Sequence, residues 1–148
     1  VYPSHPSAVE RLDPSLAGKD LQNTDDVKYD LSGKDLGGTN FTGAYFSVST
    51  LKDSDLTGAN MTNVIAYATR FDNANLTNVN LTGAELLKSV FDGVTIDGAD
   101  FTDAVLDRSQ QKKLCEVATG STAESLGCST TAAGYVPATK GQGFNPGT

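Results

Sequence analysis

The sequence predicts an all-β solenoid, in which the chain winds into short coils that stack along one axis. Two observations carry this prediction: an apolar residue recurs at every fifth position, and a small residue precedes it in a fixed register. A period of five fits neither the 3.6-residue repeat of a helix nor the two-residue repeat of a strand. Repeats of fixed period indicate a stack of similar units, each of which buries its apolar side against its neighbours.

The apolar register keeps one frame from Leu16 to Leu106. Eighteen of its 19 positions are apolar, whereas a hydrophobic content of 38% predicts about seven (0.38 × 19) by composition alone. The single polar position is Asp26. The 18 apolar residues, called centres below, are Leu16, Leu21, Leu31, Leu36, Phe41, Phe46, Leu51, Leu56, Met61, Ala66, Phe71, Leu76, Leu81, Leu86, Phe91, Ile96, Phe101 and Leu106.

The residues between the centres are small or polar. Two positions before each centre, from Thr39 to Ala104, all 14 residues are Ala, Ser, Thr or Val. The second residue after a centre is often Gly or Asn, which tolerate the backbone angles of a tight turn. One large and one small residue per five therefore point inward, and the two residues that flank each centre point to solvent. Successive coils then stack at ~4.8 Å and pair their backbone groups.

Three stretches, "ANMTN" at 59–63, "ANLTN" at 74–78 and "ADFTD" at 99–103, show the repeat most clearly. With them the sequence resembles the pentapeptide-repeat family over about two thirds of its length. The resemblance implies a right-handed quadrilateral β-helix with four pentads per coil. The first coil departs from the pattern, because Asp26 occupies a centre and Lys19, Tyr29 and Lys34 replace small residues. Terminal repeats are commonly atypical, and a functional role for Asp26 is the alternative.

Outside the repeat, the composition changes at both ends of the chain. Two prolines and no period mark the beginning, and Gly and Pro mark the end. The sequence therefore predicts four segments: an N-terminal arm at 1–13, the pentapeptide-repeat β-helix at 14–108, a short α-helical cap at 109–131 and a C-terminal tail at 132–148.

The predicted cap consists of two short helices. Asp107 followed by Gln110 is a capping-box arrangement at the start of the first helix, and Gly120 is its predicted end. The second helix, "STAESLG", is predicted to end at Gly127. Three apolar residues are predicted to cover the open end of the solenoid, as terminal caps do: Leu114, Val117 and Leu126.

The only two cysteines, Cys115 and Cys128, lie on or beside the two cap helices and would close a loop of 14 residues. A disulfide is the preferred interpretation, because so small a cap needs a covalent link, and the bridge would contribute ~3 kcal/mol in the loop-entropy model. Two reduced, buried thiols are the alternative. Two Cys and one remote histidine, His5, do not make a four-ligand metal site.

The residues indicate neither catalysis nor a cofactor. His5 is the only histidine, and no nucleophile, phosphate-loop or dinucleotide motif is present. A net charge of -7 with scattered basic residues argues against nucleic acid as partner, and no apolar run approaches the ~20 residues of a membrane span. Stacked carboxylates, Asp35 over Asp55 and Asp72 over Asp92, leave open a weak cation site or weak hydrolase with raised pKa values, although a solvated acidic surface is the simpler interpretation.

Two outward surfaces stand out when the sequence is folded in steps of 20. One carries regularly spaced Asn and Thr, which either stabilise the sheet by ladder hydrogen bonds or order water or a polar ligand. The next carries an apolar stripe where flanking positions are otherwise mostly polar. Either the terminal segments cover this stripe, with Tyr135, Val136 or Phe144 docking on it, or it contacts a partner. Its residues are Val27, Tyr45, Ile65, Tyr67, Leu87 and Val105.

The predicted function is that of a non-enzymatic scaffold that binds an unidentified protein partner, with the chain itself a monomer. An acidic, short solenoid with a Cys-linked cap looks like the plant pentapeptide-repeat proteins of the thylakoid lumen. That resemblance implies a chloroplast protein whose transit sequence is removed, in an oxidising compartment. The family's DNA-mimic branch, whose members bind type II topoisomerases, is the alternative, and the acidic charge is compatible with it.

Overall fold

The chain forms a β-helix in a computed structural model that describes residues 15–23, 30–131 and 134–137. Isolated parallel bridges join each residue to the one 20 positions later, as in Asp35 to Asp55 and Asp55 to Asn75. Along the chain the bridged residues are five apart, so each coil has four sides of one pentad each. The predicted period, and the coil it implies, are confirmed. Asp26 and Tyr29 lie outside the described residues.

The centres fill the axis of the β-helix. Each of the 18 is at most 7% exposed, and most are fully buried. Phe71 and Phe91, one coil apart, stack with ring centroids 5.1 Å apart and 4° between their planes. Phe41 and Phe46, on neighbouring sides, meet edge to face at 4.9 Å. Aromatic pairs at such distances add stability beyond the area that they bury.

The corners of the coils require left-handed backbone, as the Gly and Asn pattern indicated. Gly58 and Gly98 occupy equivalent corners two coils apart and have φ of +71° and +73°. Their surroundings differ, because the Asn78 side chain lies against Gly98, where an added Cβ would overlap its Oδ1 atom. At Gly58 an added Cβ would meet nothing within 4 Å.

Gly58→Ala and Gly98→Ala therefore separate backbone strain from crowding. We expect Gly58→Ala to lower the free energy of unfolding by about 1 kcal/mol, since Ala disfavours the left-handed region. Gly98→Ala should lose roughly twice as much, because Asn78 must also move. Urea unfolding of both variants, with and without Asn78→Ala, measures the difference. If the two variants lost the same free energy of unfolding while Asn78 is present, crowding at Gly98 would be contradicted.

Four elements follow the last coil: helix α1 at Arg108–Cys115, helix α2 at Gly120–Ser125, and strands β1 at Cys128–Thr131 and β2 at Gly134–Pro137. The strands form an antiparallel hairpin in which Cys128 lies opposite Pro137. This hairpin was not predicted, and the predicted boundary after Thr131 falls inside it. The four-segment division stays a prediction, and the arm at 1–13 and residues 138–148 lie outside the described residues.

The cap confirms part of the sequence prediction and corrects two details. Asp107 and Gln110 form the predicted capping box. The prediction that Gly120 ends the first helix is wrong. That helix ends at Cys115, and Gly120, with φ of +54°, begins α2. The prediction that Val117 covers the open end is wrong too. Val117 lies beyond α1 and is 54% exposed, whereas Leu114 and Leu126 are buried against the column as predicted.

A column of buried polar side chains runs up one corner and ends in the cap. The Thr69 hydroxyl donates to the Phe46 carbonyl at 2.8 Å, and the Ser89 hydroxyl one coil later donates to the Ala66 carbonyl. At the next level Gln110 takes this role, as its Nε2 donates to the Leu86 carbonyl at 2.7 Å and to the Ser89 carbonyl at 2.8 Å. Gln110 therefore satisfies backbone carbonyls that a further coil would otherwise cover.

Cys115 and Cys128 are joined by a disulfide, with their Cα atoms 5.8 Å apart. The bond ties the end of α1 to the beginning of β1. The predicted pairing is thus present in the structure, and the reduced alternative is not.

The disulfide should act on the cap and leave the coils intact. We expect Cys115→Ser to lower the Tm while the far-UV spectrum of the β-helix persists. Cys128→Ser should lower the Tm similarly, and the double variant should lose little more than either single variant, because each removes the same bond. Additive losses would indicate that the two residues stabilise the cap independently.

Candidate interaction surface

We number the four sides of a coil in chain order, with Leu36 on the first, Phe41 on the second, Phe46 on the third and Leu51 on the fourth. The third side carries the predicted apolar surface. We call its outward residues the tyrosine face, and they lie in two columns that flank the buried centres. One column is Tyr45, Ile65, Glu85 and Val105, joined by consecutive parallel bridges. The other column, two residues further along each coil, is Ser47, Tyr67, Leu87 and Asp107, of which Ser47 is buried.

The structure places five of the six predicted residues on this face. Tyr45 and Tyr67 are 38% and 49% exposed, and Ile65, Leu87 and Val105 are partly buried. Val27, the sixth, lies outside the described residues. Glu85 separates Ile65 from Val105, so the first column is not apolar throughout.

The structure adds Val48, which the sequence analysis missed. It follows Ser47 at the corner beside the tyrosine face and is 52% exposed. Among the described residues, the large apolar side chains that are exposed are Tyr45, Val48, Tyr67 and Val117. Three of these four therefore lie on one side of the β-helix or at its corner. The sequence could have indicated Val48, because it holds a valine at a turn position where Gly or Asn was expected.

The neighbouring side carries the regular Asn and Thr residues, which we call the Asn–Thr face. Its outward residues are Asn40, Asn60, Asn80 and Asp100, and Thr42, Thr62, Thr82 and Thr102. Asn60 Oδ1 accepts from the Thr62 amide at 3.0 Å and from the Thr62 hydroxyl at 2.7 Å. Asn40 makes the same two bonds to Thr42. These bonds close within one coil, and do not run between coils as a ladder would.

The prediction that stacked carboxylates could have raised pKa values is wrong for Asp55 and Asp72. The Thr57 hydroxyl, followed by its amide, donates to Asp55 and lowers the pKa of that carboxyl. Arg70 lowers the pKa of Asp72 through two hydrogen bonds of 2.8 Å. In each case hydrogen bonds to the charged form outweigh burial.

The remaining members of the stacked pairs, Asp92 and Asp35, differ in their surroundings. Asp92 forms an ion pair with Lys113, in which Oδ1 of Asp92 and Nζ of Lys113 are 2.6 Å apart. This pair connects α1 to the fourth side, and the Asp92 carboxylate raises the pKa of Lys113. Asp35 stacks on Asp55 as predicted. Within residues 15–23, 30–131 and 134–137, no three His, Cys, Asp or Glu side chains are grouped as metal ligands.

Removing the Arg70 guanidinium should remove most of the shift of the Asp72 pKa. In Arg70→Gln we expect the pKa of Asp72 to rise toward its ordinary value, since the hydrogen bonds that are the largest cause of the lowering are lost and burial opposes ionisation. In the wild type the lowered pKa stabilises the fold above about pH 4, and this contribution is lost as the pH falls through the folded-state pKa. NMR titration of the Asp72 carboxyl measures the change, with Asp55 as internal control. An unshifted Asp72 would contradict the role of Arg70.

Two clefts lie beside the cap. The larger, of about 430 Å³, separates α2 from the last coil and is lined by Asp100, Thr102, Ser121 and Glu124 among others. The smaller, of about 170 Å³, lies between α1 and the fourth side near Phe91 and Lys113. Both are shallow features of the junction between cap and coils.

Comparison with known proteins matched the sequence to the model "Pentapeptide repeats" in 8 copies, at residues 30–65 and 69–108. A pentapeptide repeat protein from the Arabidopsis thaliana thylakoid lumen is similar, with 33% identity, a TM-score of 0.57 and coverage of 82% of this chain and 94% of that chain. Its fold implies that the coils described above are right-handed. In the described residues, no helix is long and apolar enough to cross a membrane.

Two structures with lower similarity were also matched. A pentapeptide repeat protein from the cyanobacterium Cyanothece 51142 has 25% identity and a TM-score of 0.40, covering 54% of this chain and 58% of that chain. QnrB1, a plasmid-mediated fluoroquinolone resistance protein, has 18% identity and a TM-score of 0.35, covering 64% of this chain and 68% of that chain. No curated protein matched the sequence.

Proposed function

Because this chain belongs to the pentapeptide-repeat family, we propose that it is a non-enzymatic scaffold that binds a protein partner through the tyrosine face. The observation that carries the proposal is the grouping of Tyr45, Val48 and Tyr67, three exposed apolar side chains, on one side. Single exposed apolar residues are ordinary on protein surfaces, but a group of them marks a contact surface. Tyrosines in particular contribute strongly to protein interfaces.

The rigidity of the face suits binding by a preformed surface. Its backbone is paired to the coils on both sides, as in Ile65 N–H to the Ala44 carbonyl at 2.9 Å and Ala66 N–H to the Glu85 carbonyl at 2.8 Å. Side chains presented from such a backbone lose little further freedom when a partner binds. This preorganisation lowers the entropic penalty of association.

Three aspartates have lowered pKa values, the opposite of what acid–base catalysis requires. Asp30, Asp55 and Asp72 all have lowered pKa values, because hydrogen bonds favour their charged forms. A general acid or base at neutral pH instead requires a carboxyl whose pKa is raised. The family, too, consists largely of structural scaffolds. We therefore place the function in the surface of the column.

We further propose that the protein works as a monomer in the thylakoid lumen. The similarity to the Arabidopsis lumenal protein supports this location. The Cys115–Cys128 disulfide is consistent with an oxidising compartment.

A cross-linking experiment tests the proposed surface. A photoreactive phenylalanine analogue replaces Tyr67 on the tyrosine face or, as the matched control, Thr62 on the Asn–Thr face of the same coil. In thylakoid-lumen extract, we expect the Tyr67 position to cross-link a defined protein and the Thr62 position not to. Tyr67→Asp should reduce recovery of that protein at least tenfold, and Thr62→Asp should not.

Equal cross-linking from both positions, or none from Tyr67, would contradict the proposal. Removal of residues 138–148 tests the alternative that the chain covers its own face, and it leaves the β1–β2 hairpin in place. If that truncation raises hydrophobic-dye binding, the tail and not a partner occupies the surface. Light scattering of the purified protein tests the monomer.

The DNA-mimic alternative has one favourable observation. The first and second sides of four successive coils carry no Lys or Arg. These sides are formed by residues 35–43, 55–63, 75–83 and 95–103. They carry five aspartates instead: Asp35, Asp55, Asp97, Asp100 and Asp103. A gyrase supercoiling assay decides between the two functions. Protection of the topoisomerase that is lost in Asp35→Asn/Asp55→Asn, but not in Tyr67→Asp, would establish mimicry and replace the tyrosine face as the main site.

A further inference from the structure

In the described coils, the corner beside the tyrosine face lacks the Gly, Asn or Asp that the other corners have at positions with positive φ. Three residues there, Val48, Ala68 and Lys88, have φ of 63°, 55° and 67°. They occupy the same corner in successive coils, and we call them, with Arg108 at the next position, the corner column. At the other corners of the described coils, every residue with positive φ is Gly, Asn or Asp.

This arrangement is unfavourable for folding. A β-branched residue with positive φ is a clear outlier, because its Cβ crowds the following carbonyl. Val48 is 52% exposed, so packing in the core offsets little of that strain. Strained residues without a structural reason tend to mark functional surfaces. The Val48 side chain is therefore better explained by what it contacts than by how the chain folds.

The two edges of the tyrosine face carry charges of opposite sign. Lys88 and Arg108 are exposed, and neither forms an ion pair within the described residues. On the opposite edge of the tyrosine face, the exposed carboxylate of Glu85 lies beside the Asn–Thr face, which has no basic residue in the four coils compared above. The apolar surface thus lies between two basic residues, Lys88 and Arg108, on one edge and the carboxylate of Glu85 on the other.

We propose that the corner column is the basic edge of the contact surface, and that its partner is a protein segment whose apolar residues are bordered by Asp or Glu on one side. The apolar residues of the segment pack on Tyr45 and Tyr67, and its carboxylates face Lys88 and Arg108. This inference rests on the proposed function and specifies the chemistry of the partner. Complementary charge fixes the orientation of the segment and excludes basic ones.

A display selection tests this chemistry with defined probes. Random 12-residue peptides are selected on the wild-type protein, with counter-selection on Tyr67→Asp. We expect the selected peptides to combine apolar residues with Asp or Glu. Lys88→Glu should weaken their binding at least tenfold, and Lys19→Glu, the same charge change on an exposed residue of the first coil, should leave it within twofold. Higher salt should weaken binding to the wild type.

Val48→Gly tests the strain separately. Glycine adopts positive φ without penalty, so the variant should raise the Tm by a few degrees while weakening the selected peptides severalfold. A lower Tm would show that Val48 is retained for folding, and unchanged binding would show that it is not part of the contact; either result overturns its place in the proposal.

The outcomes also distinguish the two proposals. If no peptide binds in a manner that depends on Tyr67, the proposed function itself loses its surface. If peptides require Tyr67 but are basic, or are indifferent to Lys88→Glu, the function stands and the acidic partner is wrong.

Discussion

Replacing Leu76 by Asp is expected to unfold the protein at 25 °C and neutral pH. Leu76 is fully buried and lies in the column that also contains Leu56 and Ile96. The variant removes a large apolar side chain and buries an unpaired carboxylate, each of which is among the most destabilising changes known. Their sum, of the order of 5 kcal/mol or more, approaches the whole stability of a domain of this size.

Far-UV circular dichroism of Leu76→Asp and of a matched control, Asn80→Asp, tests this expectation. Asn80 is exposed, and the same column already contains Asp100. The control should therefore keep the β-helix spectrum, with a change in Tm of only a few degrees. A native spectrum for Leu76→Asp would mean that this side of the coil does not face the core.

The second large effect is expected at Gln110, which is 9% exposed. Its Oε1 accepts from the Asp107 amide at 2.8 Å, and its Nε2 donates to the Leu86 and Ser89 carbonyls. Gln110→Ala leaves these three backbone groups without their partner. We expect the free energy of unfolding to fall by about 3 kcal/mol, since an unsatisfied buried polar group costs ~1–3 kcal/mol.

Gln111→Ala is the matched control, because Gln111 is also buried but donates one such bond, to the Leu126 carbonyl at 2.7 Å. Urea unfolding should show a smaller loss for Gln111→Ala than for Gln110→Ala. Gln110→Glu adds a test of the donor: its size is conserved, but a carboxylate cannot donate to the two carbonyls at neutral pH. If Gln110→Glu were as stable as the wild type, the two donated bonds would not matter.

The period of the sequence predicts the coil because the constraint acts on every pentad. Large residues at each centre, such as Leu36, Leu56 and Leu76, can all be buried only if the chain returns after a fixed number of residues. Family resemblance supplied the four sides, since the spacing alone shows only the five. The cap was harder, because its short helices and its hairpin depend on contacts with the last coil. The capping box was predictable since it is local to residues 107–110.

The site was predictable to the extent that it follows from alternation. Residues that flank a centre point outward, so Tyr45 and Tyr67 could be placed on one face from the sequence. The strain at Val48 could not be read directly, because the pattern gives a turn position but not the φ that a valine adopts there. The partners of Asp72 and Asp92 were missed as well. Stacking of like charges was visible in the sequence, whereas Lys113 reaches Asp92 only once α1 crosses the end of the column.

A crystal structure of the full chain tests the central claim most directly, namely that the fivefold period winds the chain into a column with one apolar outer side. The account predicts Leu36, Leu56 and Leu76 one above another at ~4.8 Å per coil, with Tyr45 and Tyr67 on the outer surface of the third side. A register in which either tyrosine points into the core, or in which these three leucines are not stacked, would contradict it.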